Sequence, residues 1–160
     1  MKIFEGSPLI VFHDMDKTPL GTKLTELPQH IAVVPWFYPG QESERAVVKK
    51  ITGITIAKVN SPFVFITGSQ VTFGLEDIEL ATRVLSENNA IEELHLVLVR
   101  ALGSSGCKFV DLTFAKSNYS PHITHKVDGD KPYGAYKFDS LTVGRKNKDK
   151  STEILTVIEL

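Results

Sequence analysis

The sequence contains one cysteine in 160 residues, Cys107, so an intrachain disulfide is excluded and a reducing compartment is the expectation. It lies in Gly106-Cys107-Lys108-Phe109, at the start of an expected strand, where a lone thiol serves as a small core side chain. Excess charge of either sign is missing too: 18 basic against 19 acidic residues leave a net charge of −1. That balance supplies no strong counterion-release term, so binding of long nucleic acid by bulk charge is excluded, while a small anion in a local site stays open. No apolar run reaches the roughly 18 residues that a membrane span requires. Met1-Lys2-Ile3-Phe4-Glu5-Gly6 has no long apolar signal core, and a cytoplasmic protein without membrane attachment is expected. Linkers and low-complexity tracts are lacking, which predicts one domain over 1–160 with halves of roughly 1–80 and 81–160. His13-Asp14-Met15-Asp16 is the one run of metal-type ligands, and its spacing fits no ligand pattern. A polar loop after a strand explains it; no metal and no cofactor are expected.

What is present is a series of short apolar runs and two helical patterns. Pro8 to Phe12 and His30 to Phe37 read as strands. Gln41 to Thr52 reads as a helix, with Ala46, Val47, Val48 and Ile51 on one face and Gly53 as its stop. Phe63 to Ile66 and Val71 to Phe73 flank Thr67-Gly68-Ser69-Gln70, a strand, turn and strand. Leu80 to Leu85 is assigned to a strand. The second helix has Asn89 as N-cap, Glu92 in capping-box position, Ile91, Leu94, Leu98 and Leu102 as its buried stripe, and Gly103 as its stop. Tyr136 to Arg145 and Thr152 to Leu160 read as a hairpin closed by a charged turn. The order of strand, helix and strands occurs twice, which implies an internally duplicated α+β domain.

Two distant segments are spelled alike: Pro28-Gln29-His30-Ile31-Ala32-Val33-Val34 and Pro121-His122-Ile123-Thr124-His125-Lys126-Val127. Strand alternation puts His30, Ala32 and Val34 on one face and Ile31 and Val33 on the other. It likewise puts His122, Thr124 and Lys126 together, opposite Ile123 and Val127. The aliphatic faces can anchor each strand in the core, and the histidine faces can meet across a cleft. A neutral imidazole takes a proton from an attacking hydroxyl or water, and a protonated one gives a proton to the leaving oxygen of a phosphodiester. A hydroxyl two residues after a histidine points the same way and can donate to a phosphate oxygen. His125 falls on the opposite face, and His95 lies in the apolar stripe of the second helix, so both are assigned structural roles. Trp36, Phe37, Tyr38 and Tyr119 flank the motifs as core aromatics or as rings on which a base could stack. Lys126 is a possible phosphate contact; Tyr133, Tyr136 and Arg145 are possible cleft residues.

These segments resemble the two-histidine (2H) phosphoesterase superfamily, the 2′-5′ RNA ligase and cyclic phosphodiesterase group. Leu27 to Phe37 is similar to its first His-x-Thr/Ser motif, with the following proline and aromatic, and Tyr119 to His125 to its second. Glu93-Leu94-His95 and the final hairpin also fit, and the likeness runs from about Leu24 to the end. The resemblance implies a bilobal fold of two antiparallel sheets with outer helices around a central cleft. It implies metal-independent chemistry on 2′,3′-cyclic phosphates, 2′-5′ linked or cyclic nucleotides or RNA ends. His30 and His122 would be the catalytic pair, Thr124 a phosphate donor, and Trp36, Phe37, Tyr119 and Lys126 possible substrate contacts. The partner would be a nucleotide or RNA end, and the expected state is a monomer. Ala32 departs from the pattern, since the family has Thr or Ser there. Loss of one preorganised donor typically costs about 10²–10³ in rate. A slower enzyme, another donor such as Gln29, Lys126 or a backbone N–H, and a nucleotide-binding protein without turnover all fit that change. A third class is an interaction domain carrying remnant motifs.

Overall fold

Strand β1, Leu9–Asp14, is buried at all six positions, and the rest of the fold is arranged around it. The structure is a computed structural model, and it describes residues 6–73, 79–111, 115–124 and 134–160. The strands that follow are β2 (Lys23–Leu24), β3 (His30–Tyr38), β4 (Phe63–Phe73), β5 (Glu79–Ser86), β6 (Lys108–Phe109), β7 (His122–Thr124), β8 (Ala135–Phe138), β9 (Ser140–Lys146) and β10 (Thr152–Glu159). Helix α1 spans Glu44–Lys58 and helix α2 spans Ala90–Ser104. The strand order is β2-β10-β9-β1-β3-β7-β5-β4-β8, with β6 beside β3, and the pairings are antiparallel. The mixed α/β class is as expected. The two separate sheets are not, because the strands carrying the two histidine motifs pair with each other, Ile31 opposite Ile123, and join both halves into one curled sheet.

Both helices cover one face of that sheet. Val47 and Ile51 of α1 and Leu94, Leu98 and Leu102 of α2 share a core with Leu9, Val11, Ile31, Val33 and Ile123. Burial of a side chain of this size contributes about 1.5–3 kcal/mol, so the aliphatic half of each motif strand anchors it firmly. On the other face Ile10, Phe12 and Ile154 form a smaller cluster with Leu24, Leu27 and Trp36. Cys107 is buried in the main core with its Sγ 3.7 Å from the Pro39 carbonyl, and burial pushes its thiol pKa up.

Several local expectations give way to tertiary structure. Gly53 does not stop α1. A Cβ there would meet nothing, so the helix runs through it at the intrinsic cost of about 1 kcal/mol relative to alanine. Asn89 does not cap α2. It is left-handed at φ 54° with no side-chain cap bond, and the Ser86 hydroxyl accepts the Ile91 N–H at 3.2 Å instead. Gly103 lies inside α2. The true stop is Gly106 at φ +89°, where the N–H groups of Gly106 and Cys107 donate to Gly103 and Leu102 carbonyls at 3.1 and 3.0 Å. Thr67 to Gln70 is a bulge within the single strand β4, not a turn between two strands. The run read as one long hairpin arm divides at Asp139, so that β8 pairs with β4 while β9 pairs with β1 and β10.

Candidate active site

The site is built from strand register. Ile31 faces Ile123, and carrying that register one residue either way sets His30 opposite Thr124 and Ala32 opposite His122. The neighbouring pairings extend both rows across the sheet. One runs Asp14, His30, Thr124, Ala81; the other runs Phe12, Ala32, His122, Arg83. Opposed residues share a face, and this is the face away from the helices. His30 and His122 are therefore diagonal neighbours on adjacent strands, a relation that spans roughly 7–8 Å and lies within reach of ring side chains.

The two imidazoles are braced alike. His30 Nδ1 lies 2.7 Å from the Pro28 carbonyl, and His122 Nδ1 lies 2.8 Å from the Ser120 carbonyl. A carbonyl only accepts, so each Nδ1 carries the proton and each Nε2 is the basic nitrogen of the neutral ring. His30 also packs edge-on against Phe12, with ring centroids 5.4 Å apart. Its pKa is lowered, chiefly by burial. The Pro28 carbonyl opposes that shift, nearby His122 adds to it, and Asp14 opposes it. The contribution from His122 is the disfavouring of a charged imidazole by a second one nearby. Asp14 is almost fully buried, and its carboxylate accepts the N–H groups of Asp16 and Thr18 at 2.8 and 2.9 Å, tying down the turn after β1.

Val34 leaves the predicted face. Val11 faces Val34 and Phe12 faces Ala32, so Val33 is the extra residue of a bulge, and Val33 and Val34 are both fully buried in the core. Two aromatic side chains hold the bulge. His95 of α2 donates from Nδ1 to the Val33 carbonyl at 2.6 Å, and its Nε2 accepts the Lys116 N–H at 2.9 Å. The Tyr119 hydroxyl donates to the Ala32 carbonyl at 2.7 Å. Their rings stack at 3.8 Å with an interplanar angle of 6°. His95 is therefore structural and held neutral, with burial lowering its pKa. Tyr119, read from sequence as a possible substrate contact, has its hydroxyl committed to the strand that carries His30.

The other expected contacts are dispersed. Phe37 is fully buried and packs on Phe109 with centroids 6.0 Å apart, so it has no surface left for a ligand. Trp36 lies six residues along β3 from His30, roughly 20 Å, packed on the smaller cluster with Lys146 Nζ 4.7 Å above its ring. Thr124 is exposed on the histidine face, whereas His125, Lys126 and Tyr133 lie outside the described residues. Arg145 is clamped by Glu44 at 2.8 Å and Glu153 at 3.3 Å. His13 is a buried core ring. It donates to the Ser140 carbonyl at 2.9 Å and stacks on Phe138 at 4.7 Å, so it is no part of a polar loop. Among the described residues no group of three or more His, Cys, Asp or Glu is placed to hold a metal ion, and no helix is long and apolar enough to cross a membrane. Sequence reasoning missed Arg83, whose place beside His122 depends on a pairing between β5 and β7 that no local pattern announces.

Structural comparison places this chain in known company. It superposes on the crystal structure of a phosphoesterase with a TM-score of 0.61 and 14% identity, covering 97% of this chain and 99% of that one. For Escherichia coli LigT complexed with 3′-AMP the TM-score is 0.62 at 15% identity, covering 98% and 99%. For TT0787 of Thermus thermophilus it is 0.57 at 13%, covering 96% and 97%. No protein-family profile matches the sequence, and no curated protein sequence matches it. The chain thus has the fold of these phosphoesterase and LigT structures over nearly its whole length.

Proposed function

We propose that the chain is a metal-independent phosphodiesterase of the two-histidine type, with His30 and His122 as its acid–base pair. The observation that carries this reading is the matched pair of imidazoles, diagonal on one sheet face, each with Nδ1 tied to the carbonyl two residues before it. Burial favours neutral His30, which suits it to the base role in hydrolysis. Its Nε2 takes a proton from water as the water oxygen bonds to phosphorus. His122 gives a proton to the departing ribose oxygen as the P–O bond breaks. The Thr124 hydroxyl, opposite His30, donates to a non-bridging oxygen. Substrates of this reading are 2′,3′-cyclic phosphates, 2′-5′ linked or cyclic nucleotides and RNA ends. The LigT structures with 3′-AMP and with NADP+ support a nucleotide-type ligand. A single domain over 1–160 with pseudo-duplicated halves, and a cytoplasmic monomeric state, belong to the same proposal.

The test is turnover of a panel of 2′,3′-cyclic and 2′-5′ linked substrates by the wild type, His30→Ala and His122→Ala. Each replacement is expected to lower kcat by about 10²–10⁴, the usual worth of a positioned acid or base. Wild-type turnover in either variant excludes the mechanism. A second reading, nucleotide binding without catalysis, is favoured by Ala32, which removes the hydroxyl that the motif pattern calls for beside His122. Tight nucleotide binding with no product from the wild type would select it.

A further inference from the structure

We propose that Arg83 supplies the phosphate-oxygen contact that the alanine at position 32 leaves unfilled. This rests on the reading of the histidine pair as an anion site, and it adds a residue to which no motif points. The row Ala32, His122, Arg83 puts His122 between the missing hydroxyl and the guanidinium, on the same face. Alternation along β5 gives the side: Thr82 and Val84 are buried in the core, while Arg83 is exposed. Neighbouring strands lie about 4.7–4.9 Å apart, so Arg83 starts one strand from His122 and two from Ala32, and a long flexible side chain can bridge that interval.

Among the described residues none holds the guanidinium. No side-chain hydrogen bond or ion pair joins Arg83 to another described residue, whereas Arg145 is held by two carboxylates. An arginine placed for strand solubility would do equally well anywhere along the edge, but this one stands directly beside a catalytic-type imidazole in an inner strand. Chemically it is a stronger substitute than the hydroxyl it replaces. A guanidinium presents parallel N–H donors to two non-bridging oxygens and brings a fixed positive charge to an anion that gains charge in the transition state.

The experiment compares wild type, Arg83→Gln and Arg83→Lys for binding of adenosine 2′-monophosphate by calorimetry and for turnover of adenosine 2′,3′-cyclic phosphate. Arg83→Gln should weaken binding at least tenfold and lower kcat/KM by about 10²–10³, with Arg83→Lys intermediate because it keeps the charge and loses the fork. Ala32→Thr introduced into Arg83→Gln should recover part of the lost rate, since a hydroxyl then returns to the same phosphate. Melting temperatures should be unchanged, because the side chain is exposed. Equal binding by wild type and Arg83→Gln overturns the proposal, as does the absence of wild-type binding at millimolar nucleotide. Arg83-dependent binding without turnover leaves Arg83 in place and removes the phosphodiesterase reading; turnover indifferent to Arg83→Gln does the reverse.

Discussion

Replacing Tyr119 with phenylalanine removes one oxygen and tests how the histidine strand is held. The hydroxyl donates to the Ala32 carbonyl at 2.7 Å, in an environment buried enough to raise the phenol pKa far above its ordinary value. The ring and its 3.8 Å stack on His95 survive the change, so packing loss is confined to the hydroxyl. A hydrogen bond of this kind is worth about 0.5–1.5 kcal/mol net, and a buried carbonyl left without its donor costs about 1–3 kcal/mol. The expected destabilisation is therefore about 1–2 kcal/mol. For a chain of this size each kcal/mol lowers Tm by about 2–4 °C, giving a drop of roughly 2–8 °C in calorimetric or fluorescence melting. Ala32 lies between the two histidines in the register, so the slackened carbonyl should also lower kcat/KM, by less than about tenfold, at temperatures where both proteins are folded. Tyr119→Leu, which loses the stack as well, should melt lower still. A Tyr119→Phe protein that melts with the wild type would refute the assignment of Tyr119 as the strap on the bulge.

Two further outcomes follow from the same geometry. His30 as base must be neutral, and its folded pKa lies below the ordinary imidazole value of about 6.5. The base contribution of His30 is therefore full above that value, and it is lost as pH falls through the depressed one, while His122 must keep its proton to act as the acid. The acidic limb of kcat/KM should fit below about 6.5, and a limb above 7 would contradict the burial argument. Gly40 has φ +74°, and a Cβ there would stand 2.6 Å from the Gly106 carbonyl oxygen, a contact with backbone that cannot swing away. Gly40→Ala should cost about 1–3 kcal/mol by strain and collision, measured by urea denaturation, and an unchanged midpoint would dismiss that close approach.

The sequence showed where the two histidine strands lie because both segments are local and spelled alike: a histidine near a proline, with aliphatic residues at alternate positions to anchor the strand. It carried α2 because its stripe of Ile91, Leu94, Leu98 and Leu102 obeys the helical period without exception. What it concealed is non-local. Gly53 and Gly103 look like stops only until packing on the sheet outweighs their intrinsic cost, whereas Gly106 is a stop because the chain must turn left-handed there. Val34 changes face because of a bulge whose carbonyls are taken by His95 and Tyr119, residues 62 and 87 positions away. The merging of two expected sheets into one has the same origin, since His30 and His122 lie on strands that pair with each other. Arg83 belongs to this class as well, being an ordinary surface arginine in the sequence and a neighbour of His122 only through register.

In the proposed mechanism two imidazoles from distant parts of the chain address one phosphate. A crystal structure with bound nucleoside 2′- or 3′-monophosphate would show whether they do. Phosphate oxygens should lie within hydrogen-bond distance of His30 Nε2 and His122 Nε2 at once, with the Thr124 hydroxyl on a third oxygen. A phosphate held by one histidine alone, or bound on another surface of the protein, would contradict that mechanism.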